Sequence, residues 1–291
     1  MTQFIAEIGS NHNRSIERTL ALIDAAKDIG AWGVKFQLFK AEKLYAPEFK
    51  KQIAKMKEWE LPERFILDIA YKCSKLDLKF ICTPFDLECI PLLAAYVDYF
   101  KIGSYEMLYF SLVKAVVKTG VPWIYSAGMS ANICDAIWPI TFGYDRNNPP
   151  YAVLHCVSNY PALPKHCNLS KIREIKEAFI CPVKVGWSDH TRNPELVLTA
   201  IAQGAEIVEF HFDLDDQQGF ESSVGHCWTV SEAKQLINRA NANKRWGWNK
   251  WIGKKEWINS EPNEQEASKW RMDPEDGMRP LKRYRSELLK K

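Results

Sequence analysis

Eight short runs of apolar, β-branched or aromatic residues recur along the chain, and a segment of helical periodicity follows each one. The runs are Phe4–Ile8, Gly33–Phe36, Lys79–Cys82, Tyr99–Ile102, Trp123–Ser126, Ala152–Cys156, Val183–Gly186 and Ile207–Phe212. The intervening helical segments are Ser15–Ile29, Pro62–Leu76, Asp86–Ala95, Leu108–Thr119, Ala131–Thr141, Leu169–Ala178, Pro194–Gln203 and Val230–Arg245. Strands that alternate with helices must run parallel, joined by right-handed crossovers. Eight such units in about 240 residues match the count and length of a closed (β/α)8 barrel. An open doubly wound sheet is the competing α/β architecture. No G-x-G-x-x-G or G-x-x-x-x-G-K-[ST] string follows any of these runs, and the barrel is therefore preferred.

Charge divides the chain unevenly. Residues 1–245 carry 28 Lys+Arg against 28 Asp+Glu, whereas residues 246–291 carry 11 against 8. Five of the eleven tryptophans fall in that last stretch, which reads as a basic, Trp-rich C-terminal tail rather than a separate domain. Trp246, Trp248, Trp251 and Trp257 are interleaved with Lys250, Lys254 and Lys255, a pattern compatible with nucleic-acid stacking. A stacking surface needs a charged groove, however, and the first 245 residues are neutral. Packing of the tail on the barrel or on a second subunit is expected instead, so no nucleic-acid partner is expected and a homodimer is admissible. Residues 40–60 form a charged, amphipathic insertion after the second strand, a candidate lid or docking element. With no apolar run of 18 residues and no basic n-region before Glu7, neither a membrane span nor a signal peptide is expected. The eight cysteines include no C-x-x-C pair and several lie in apolar runs, as buried thiols of a cytoplasmic protein would.

A barrel carries its chemistry at the C-terminal ends of its strands. Here those ends are polar throughout: Glu7, then Lys35 and Gln37, Thr83, then Lys101, Ser104 and Glu106, Ser126, then Ser158 and Tyr160, then Ser188 and His190, then Glu209 and His211. Asn11 and His12 lie just beyond the first strand. Convergence of all eight on one face marks a site. Strand spacing of roughly 4.8 Å puts Lys35 and Lys101 on the order of 10 Å apart. Two inward ammonium groups are costly to desolvate unless an anion lies between them. With serine hydroxyls around the same rim, the expected ligand is a small anion bearing phosphate, carboxylate or both. His190 and His211 belong to neighbouring strands and can meet over the rim, with Glu209, Asp189, Asp213 and Asp215 nearby. Such a group can hold a divalent metal with open positions. Mn²⁺, Zn²⁺ and Fe²⁺ are all admissible for that donor set. His226 has no assignable role at this level.

The strings AEIGSNHN (6–13), VKFQ (34–37), TPFD (83–86), KIGSYEM (101–107), SAGM (126–129), HCVSNYP (155–161), GWSDHT (186–191) and EFHFDLD (209–215) are collinear. Together they resemble the sialic acid synthase family, the phosphoenolpyruvate-condensing N-acetylneuraminate synthases, over about residues 4–240. The resemblance implies a metal-dependent transferase that joins phosphoenolpyruvate to an open-chain N-acetylhexosamine such as N-acetylmannosamine, giving a nonulosonic acid and phosphate. It implies Mn²⁺ as the metal, with Mg²⁺ also admissible, held by His190 and His211. It also implies that Lys35, Thr83, Lys101, Ser104, Ser126, Ser158 and Ser188 hold phosphoenolpyruvate, and that Glu7, Gln37, Glu106 and Tyr160 lie near the sugar and the reacting carbons. Glu7 or Glu106 would relay protons.

Three departures from the family pattern stand out. Ser158 replaces a common Asn. Members often read G-P-D-H downstream of the second histidine, where this sequence reads Gly219-Phe220-Glu221-Ser222, leaving Glu221 or Asp215 for the acidic role. The usual members continue into a small antifreeze-like domain that supplies an arginine to the partner's sugar site, and this sequence stops about where that domain would begin. Arg279, Arg283 and Arg285 are the candidates to replace that arginine. Three other readings remain open: a related 3-deoxy-sugar-acid synthase with another aldose acceptor, a Schiff-base aldolase using Lys35 or Lys101, and a non-catalytic sugar-binding relative.

Overall fold

The computed structural model describes residues 1–130, 132–137, 148–179, 183–242 and 262–290. Eight strands occur where the sequence pattern puts them: β1 (Gln3–Gly9), β2 (Gly33–Leu38), β3 (Lys79–Pro84), β4 (Tyr99–Ile102), β5 (Trp123–Ser126), β6 (Ala152–Cys156), β7 (Lys184–Asp189) and β8 (Ile207–Asp213). Each pairs in parallel with the next, and β8 pairs with β1 through Ile5↔Glu209 and Glu7↔His211, closing the sheet on itself. The chain is a (β/α)8 TIM barrel. A two-residue strand, Trp228–Thr229, pairs in parallel with Phe212 and Asp213 at the end of β8.

The crossover helices include Ile16–Asp28, Ile66–Lys75, Cys89–Ala94, Phe110–Lys118, Ser170–Ala178, Pro194–Ala202 and Val230–Asn241. The first shows why they form. Ser15 caps it, its hydroxyl accepting from Arg18 N at 3.1 Å, and Thr19, Leu22, Ile23 and Ala26 recur at helical spacing on the buried face. The expected helix at Asp86 starts instead at Cys89, because the Asp86 carboxylate accepts from the backbone N–H groups of Glu88 and Cys89 (2.8 and 3.0 Å) and caps the turn. Residues 133–137 are helical after a bend at Asn132; residues 131 and 138–141 of the helix expected at Ala131–Thr141 lie outside the described residues, as do residues 243–245 of the last expected helix.

Strand side chains alternate between the helix-facing and the barrel-facing side. The inward positions on the N-terminal side form a compact apolar plug of Ile5, Ile81, Ile124, Ala152, Leu154 and Ile207. Two residues further along, the same strands present Glu7, Thr83, Ser126, Cys156 and Glu209. The interior therefore changes from apolar to ionic within one layer, and the plug is the floor beneath the polar layer.

The insertion after β2 contains two short helices, Ala41–Leu44 and Lys50–Lys57. The C-terminal segment, with helices Pro262–Lys269 and Lys282–Leu288, returns to this insertion and to the loops after β4, β5 and β6. Ala46 N donates to Arg279 O (2.8 Å), Arg279 N to Leu44 O (2.7 Å) and Met272 N to Tyr105 O (3.0 Å). Buried Glu264 accepts from Met129 N (3.0 Å) and Ser158 N (2.8 Å), while Arg271 donates to the carbonyls of Gly128 and Met129. Trp270 packs its ring against Tyr45 and Phe49. Trp246, Trp248, Trp251, Trp257 and the lysines between them lie outside the described residues, as does Cys181. Six of the seven described cysteines are buried and all seven are free thiols. Among the described residues no helix is long and apolar enough to cross a membrane.

Gly186 in β7 is a tight point of the barrel wall: a Cβ there would stand 2.3 Å from Ile207 O and 2.6 Å from Leu154 Cδ2. Gly186→Ala is expected to destabilise the fold by about 1–3 kcal/mol, the usual cost of overpacking, as read from the urea midpoint.

Candidate active site

A cavity of about 350 Å³ opens at the C-terminal ends of the strands. Of the residues predicted from sequence, Glu7, Lys35, Gln37, Thr83, Lys101, Ser104, Glu106, Ser126, Tyr160, Ser188, His190 and His211 line it. Ser158 does not. Its hydroxyl points at Gly128, where a Cβ would lie 2.6 Å away, and its backbone N–H is taken by Glu264.

The base of the cavity is ionic. Lys35 Nζ lies 2.9 Å from Glu7 Oε1 and 3.7 Å from Glu209 Oε1, and Lys101 Nζ lies 3.5 Å from Glu209 Oε2. The anion expected between the two lysines is thus partly supplied by the chain itself, from β8 on the other side of the barrel. Ser188 Oγ also donates to Glu209 (3.2 Å), and Lys101 donates to Ser126 Oγ (2.7 Å). Burial would raise the Glu209 carboxyl, but Lys101 and Lys35 outweigh it and hold it at about 2. Burial also lowers Lys101, because the single carboxylate it shares with Lys35 does not fully compensate it. Lys35, with Glu209 and Glu7 both near, is held firmly protonated despite its burial. Two ammonium groups on one fully ionised carboxylate leave this layer short of negative charge. Burial lifts Glu7 to about 7 in spite of Lys35, with Glu209 and Glu221 adding to the rise, and Gln37 Nε2 donates to Glu7 Oε1 at 2.5 Å.

Above this layer the imidazoles gather. The rings of His190 and His211 are 5.3 Å apart, and the Tyr160 ring lies tilted against His190 at 4.1 Å. His190 Nδ1 donates to Val157 O (2.7 Å), and His211 Nδ1 meets Glu221 Oε2 (2.6 Å), so each ring keeps Nε2 as a lone-pair donor. Burial presses both imidazoles below their ordinary range, keeping them in the neutral form that binds cations. Of the two acids considered for the supporting role it is Glu221 that touches His211; Asp215 instead caps Ser231 at the surface. Asp189 accepts from the indoles of Trp187 and Trp228, and Asp213 pairs with Arg18, so neither faces the imidazoles as the strand-end reading expected. Asn11 and Gly9 fix Glu221. Asn11 Oδ1 accepts from Glu221 N (2.8 Å) while its Nδ2 donates to Phe212 O (3.0 Å). Gly9 has φ +53°, and a Cβ there would lie 2.2 Å from Glu221 Oε1, so that position favours glycine on both counts. Polar donors with buried, neutral imidazoles of this kind suit a divalent ion with nitrogen and oxygen ligands.

The C-terminal segment contributes Arg279, which lines the cavity, pairs with Glu106 and lies over the Tyr105 ring at 4.5 Å. Arg285 pairs with Asp276 and Arg283 lies over Tyr284; neither lines the cavity. Trp59 of the insertion reaches the rim and stacks on Phe220 at 6.0 Å. Sequence reasoning missed Tyr105 and His226, which also line the cavity. Tyr105 sits inside KIGSYEM, between two residues that were named, so its signal was positional. His226 lies in a loop that no periodicity reaches.

Fold and site together define a barrel enzyme class in which an anion-binding cationic base lies beneath an imidazole cluster. The chain belongs to the NeuB family, whose model matches residues 22–247. It is 35% identical over 224 residues to the spore coat polysaccharide biosynthesis protein SpsE of Bacillus subtilis, covering 72% of this chain and 59% of that protein. It is 34% identical over 232 residues to the N,N'-diacetyllegionaminic acid synthase of Campylobacter jejuni, covering 74% of this chain and 68% of the relative. Among solved structures, the N-acetylneuraminic acid synthetase of Leptospira borgpetersenii in complex with citrate superposes with a TM-score of 0.77 at 28% identity, covering 91% of this chain and 90% of that one. The chain therefore spans about three fifths of SpsE, and nearly all of the Leptospira chain.

The raised Glu7 carboxyl carries a stability consequence. A carboxyl that titrates at about 7 when folded and near 4.5 when unfolded favours the folded state most below 4.5, and that contribution is lost as pH rises towards 7. In protein treated with EDTA, Glu7→Gln should gain stability relative to the unsubstituted chain between pH 5 and pH 8. Parallel urea curves at the two pH values, with a constant difference between the proteins, would contradict this.

Proposed function

We propose that the protein condenses phosphoenolpyruvate with an open-chain N-acetylhexosamine, giving a sialic or other nonulosonic acid and inorganic phosphate. The observation that carries this reading is the charge imbalance at the cavity base, where Lys35 and Lys101 share Glu209. Phosphoenolpyruvate brings carboxylate and phosphate together, and burying it there compensates Lys101 as well as itself. Thr83, Ser104, Ser126 and Ser188 add hydroxyl donors around it. The names of the relatives, as N,N'-diacetyllegionaminic acid synthase and N-acetylneuraminate-9-phosphate synthase, support the same class of reaction.

In the reaction C3 of phosphoenolpyruvate bonds to the aldehyde carbon, and the aldehyde oxygen takes up a proton. Water adds at C2, losing a proton, and the C2–O bond to phosphate then breaks as the C2 hydroxyl gives up its proton to the departing phosphate, leaving the ketone. Lys35 and Lys101 hold the substrate's carboxylate and phosphate and stabilise the positive charge that develops at C2 only indirectly, through those anions. Glu7, poised at about 7 and bonded by Gln37, is the group best placed to take and return a proton near neutral pH. Glu106 is paired with Arg279, and we assign it to acceptor positioning. A divalent ion held by His190 and His211 would act as a Lewis acid towards the acceptor carbonyl; Mn²⁺ is our preferred ion. Arg279 is the one of the three candidate arginines that lines the cavity, and we assign it to reading the acceptor sugar, within the same chain. On this view the described C-terminal residues 262–290 belong to the barrel's own site rather than to a separate domain.

Phosphate release from phosphoenolpyruvate, measured across a panel of aldoses with Mn²⁺ or EDTA, tests the assignment. Release with an N-acetylhexosamine and Mn²⁺, abolished by EDTA, is expected. Release with a different aldose alone would shift the acceptor, and none with any aldose would defeat the reading. Lys101→Met should lower kcat/KM by about 10²-fold or more, the scale on which charge-stabilising donors act. Arg279→Ala should raise the acceptor KM by roughly tenfold, the cost of one lost charged hydrogen bond, while the phosphoenolpyruvate KM stays unchanged.

A further inference from the structure

His226 is buried at 3% exposure, and neither of its ring nitrogens has a hydrogen-bond partner. Buried polar groups are almost always satisfied, and leaving one unpaired costs about 1–3 kcal/mol. Its surroundings explain the anomaly. The ring centroid lies 4.4 Å from that of His211 and 6.3 Å from that of His190, and His190 and His211 are 5.3 Å apart. Imidazoles on one ion, with metal–nitrogen bonds of about 2.1 Å, have centroids about 4.6 Å apart at a right angle and about 6.5 Å apart when opposed. The three observed separations cover that span. His226 Nε2 also stands 3.9 Å from Glu221 Oε2, the oxygen that orients His211.

The backbone holds His226 in place. It follows Gly225, whose φ of +89° turns the chain, and precedes Trp228–Thr229, which pairs with Phe212 and Asp213 at the end of β8. Trp228 Nε1 donates to Asp189 Oδ2 (3.0 Å), anchoring that pair from the next strand. His226 is therefore positioned by the same strand that carries His211. Cys227 belongs to the same group, whose ligand atoms with those of His211, Glu221 and His226 all lie within 4.8 Å, but its sulfur already accepts from Asn11 Nδ2.

We propose that His226 is a third protein ligand of the divalent ion, completing a three-imidazole set with His190 and His211. This deepens the metal-dependent reading above and rests on it. Three imidazoles hold an ion more tightly and leave fewer open positions for substrate oxygen than two do.

The test is metal binding, measured without catalysis. The unsubstituted protein, His226→Ala and His226→Gln are stripped with EDTA and titrated with Co²⁺ and with Mn²⁺. Both variants should show a Kd raised tenfold or more and a changed cobalt visible spectrum, with far-UV circular dichroism and urea midpoint in EDTA close to those of the parent. Folded variants with the parent's Kd and spectrum would overturn the proposal while leaving the ion at His190 and His211. A parent protein that takes up no ion would overturn the metal reading and this inference together. A second measurement needs no variant: the cobalt-loaded parent should show three exchangeable, strongly shifted imidazole N–H resonances, and two would overturn the assignment.

Discussion

Glu209 is the residue on which the interior depends. Taking an ammonium group out of water costs several kcal/mol, and the barrel does so twice, at Lys35 and Lys101. What makes that tolerable is one carboxylate from β8 that lies within 3.7 Å of both. The carboxylate cannot fully neutralise two cations. Glu7 supplies only part of the missing charge near neutral pH because its own burial lifts it to about 7. The remaining imbalance is the physical reason for treating the base of the cavity as a receptor for an incoming anion. The same imbalance would be unnecessary in a scaffold with no ligand to bind, since an apolar layer of equal volume would cost less.

That ionic layer is placed by geometry rather than by loops. Alternation along each strand puts Ile5 and Glu7, Ile81 and Thr83, Ile124 and Ser126, and Ile207 and Glu209 on the inner side, two residues apart. The apolar members seal the lower barrel. The polar members then stand on a close-packed floor, which limits their freedom and keeps water from below. Loops and tail complete the upper part. Glu264 and Arg271 tie the loops after β5 and β6, and Arg279 comes in over Tyr105 to meet Glu106. The segment that carries these three residues begins more than 100 positions after the loops it holds, so their contacts are long-range and belong to the folded chain alone.

The barrel and most of the cavity lining were legible because both follow from short-range periodicity. A strand that ends in a polar residue, repeated eight times, needs no tertiary information to be read as one face. What was not legible is whatever crosses the barrel or returns from a distant loop. Glu209 was read as a companion of the histidines because it lies two residues from His211; its actual partners are on β2 and β4, across the interior. Asp215 and Glu221 were equivalent by sequence, and only the turn at Gly219–Glu221, held by Asp213 and Asn11, decides between them. Arg279 could be named as a candidate but not separated from Arg283 and Arg285, since nothing local distinguishes an arginine just before the Lys282–Leu288 helix from the two on it. Ser158 shows the reverse case. Its position after β6 marked it for the cavity, yet the Glu264 carboxylate holds its backbone and its hydroxyl faces Gly128 instead.

The string AEIGSNHN illustrates how one motif divides its labour. Glu7 alone of these residues reaches the cavity. Gly9 lets the Glu221 carboxylate approach the backbone, Ser10 N donates to it at 2.7 Å, and Asn11 binds its peptide N–H. Glu221 in turn fixes the ring of His211. The first strand therefore governs the imidazole cluster without contributing a ring to it. A donor nitrogen is useful to an ion only when its ring cannot rotate away, and a buried carboxylate that accepts from the Ser10 N–H, on a residue whose own N–H is bound by Asn11, provides that restraint. The restraint reaches the eighth strand from the first because the barrel is closed: β1 and β8 are adjacent, with Glu7 opposite His211, although 204 positions separate them in the chain. Closure of the sheet thus does more than remove its edges. It brings the N-terminal motif and the last strand into a single unit that sets both the proton-holding carboxyl and the orientation of the neighbouring imidazole.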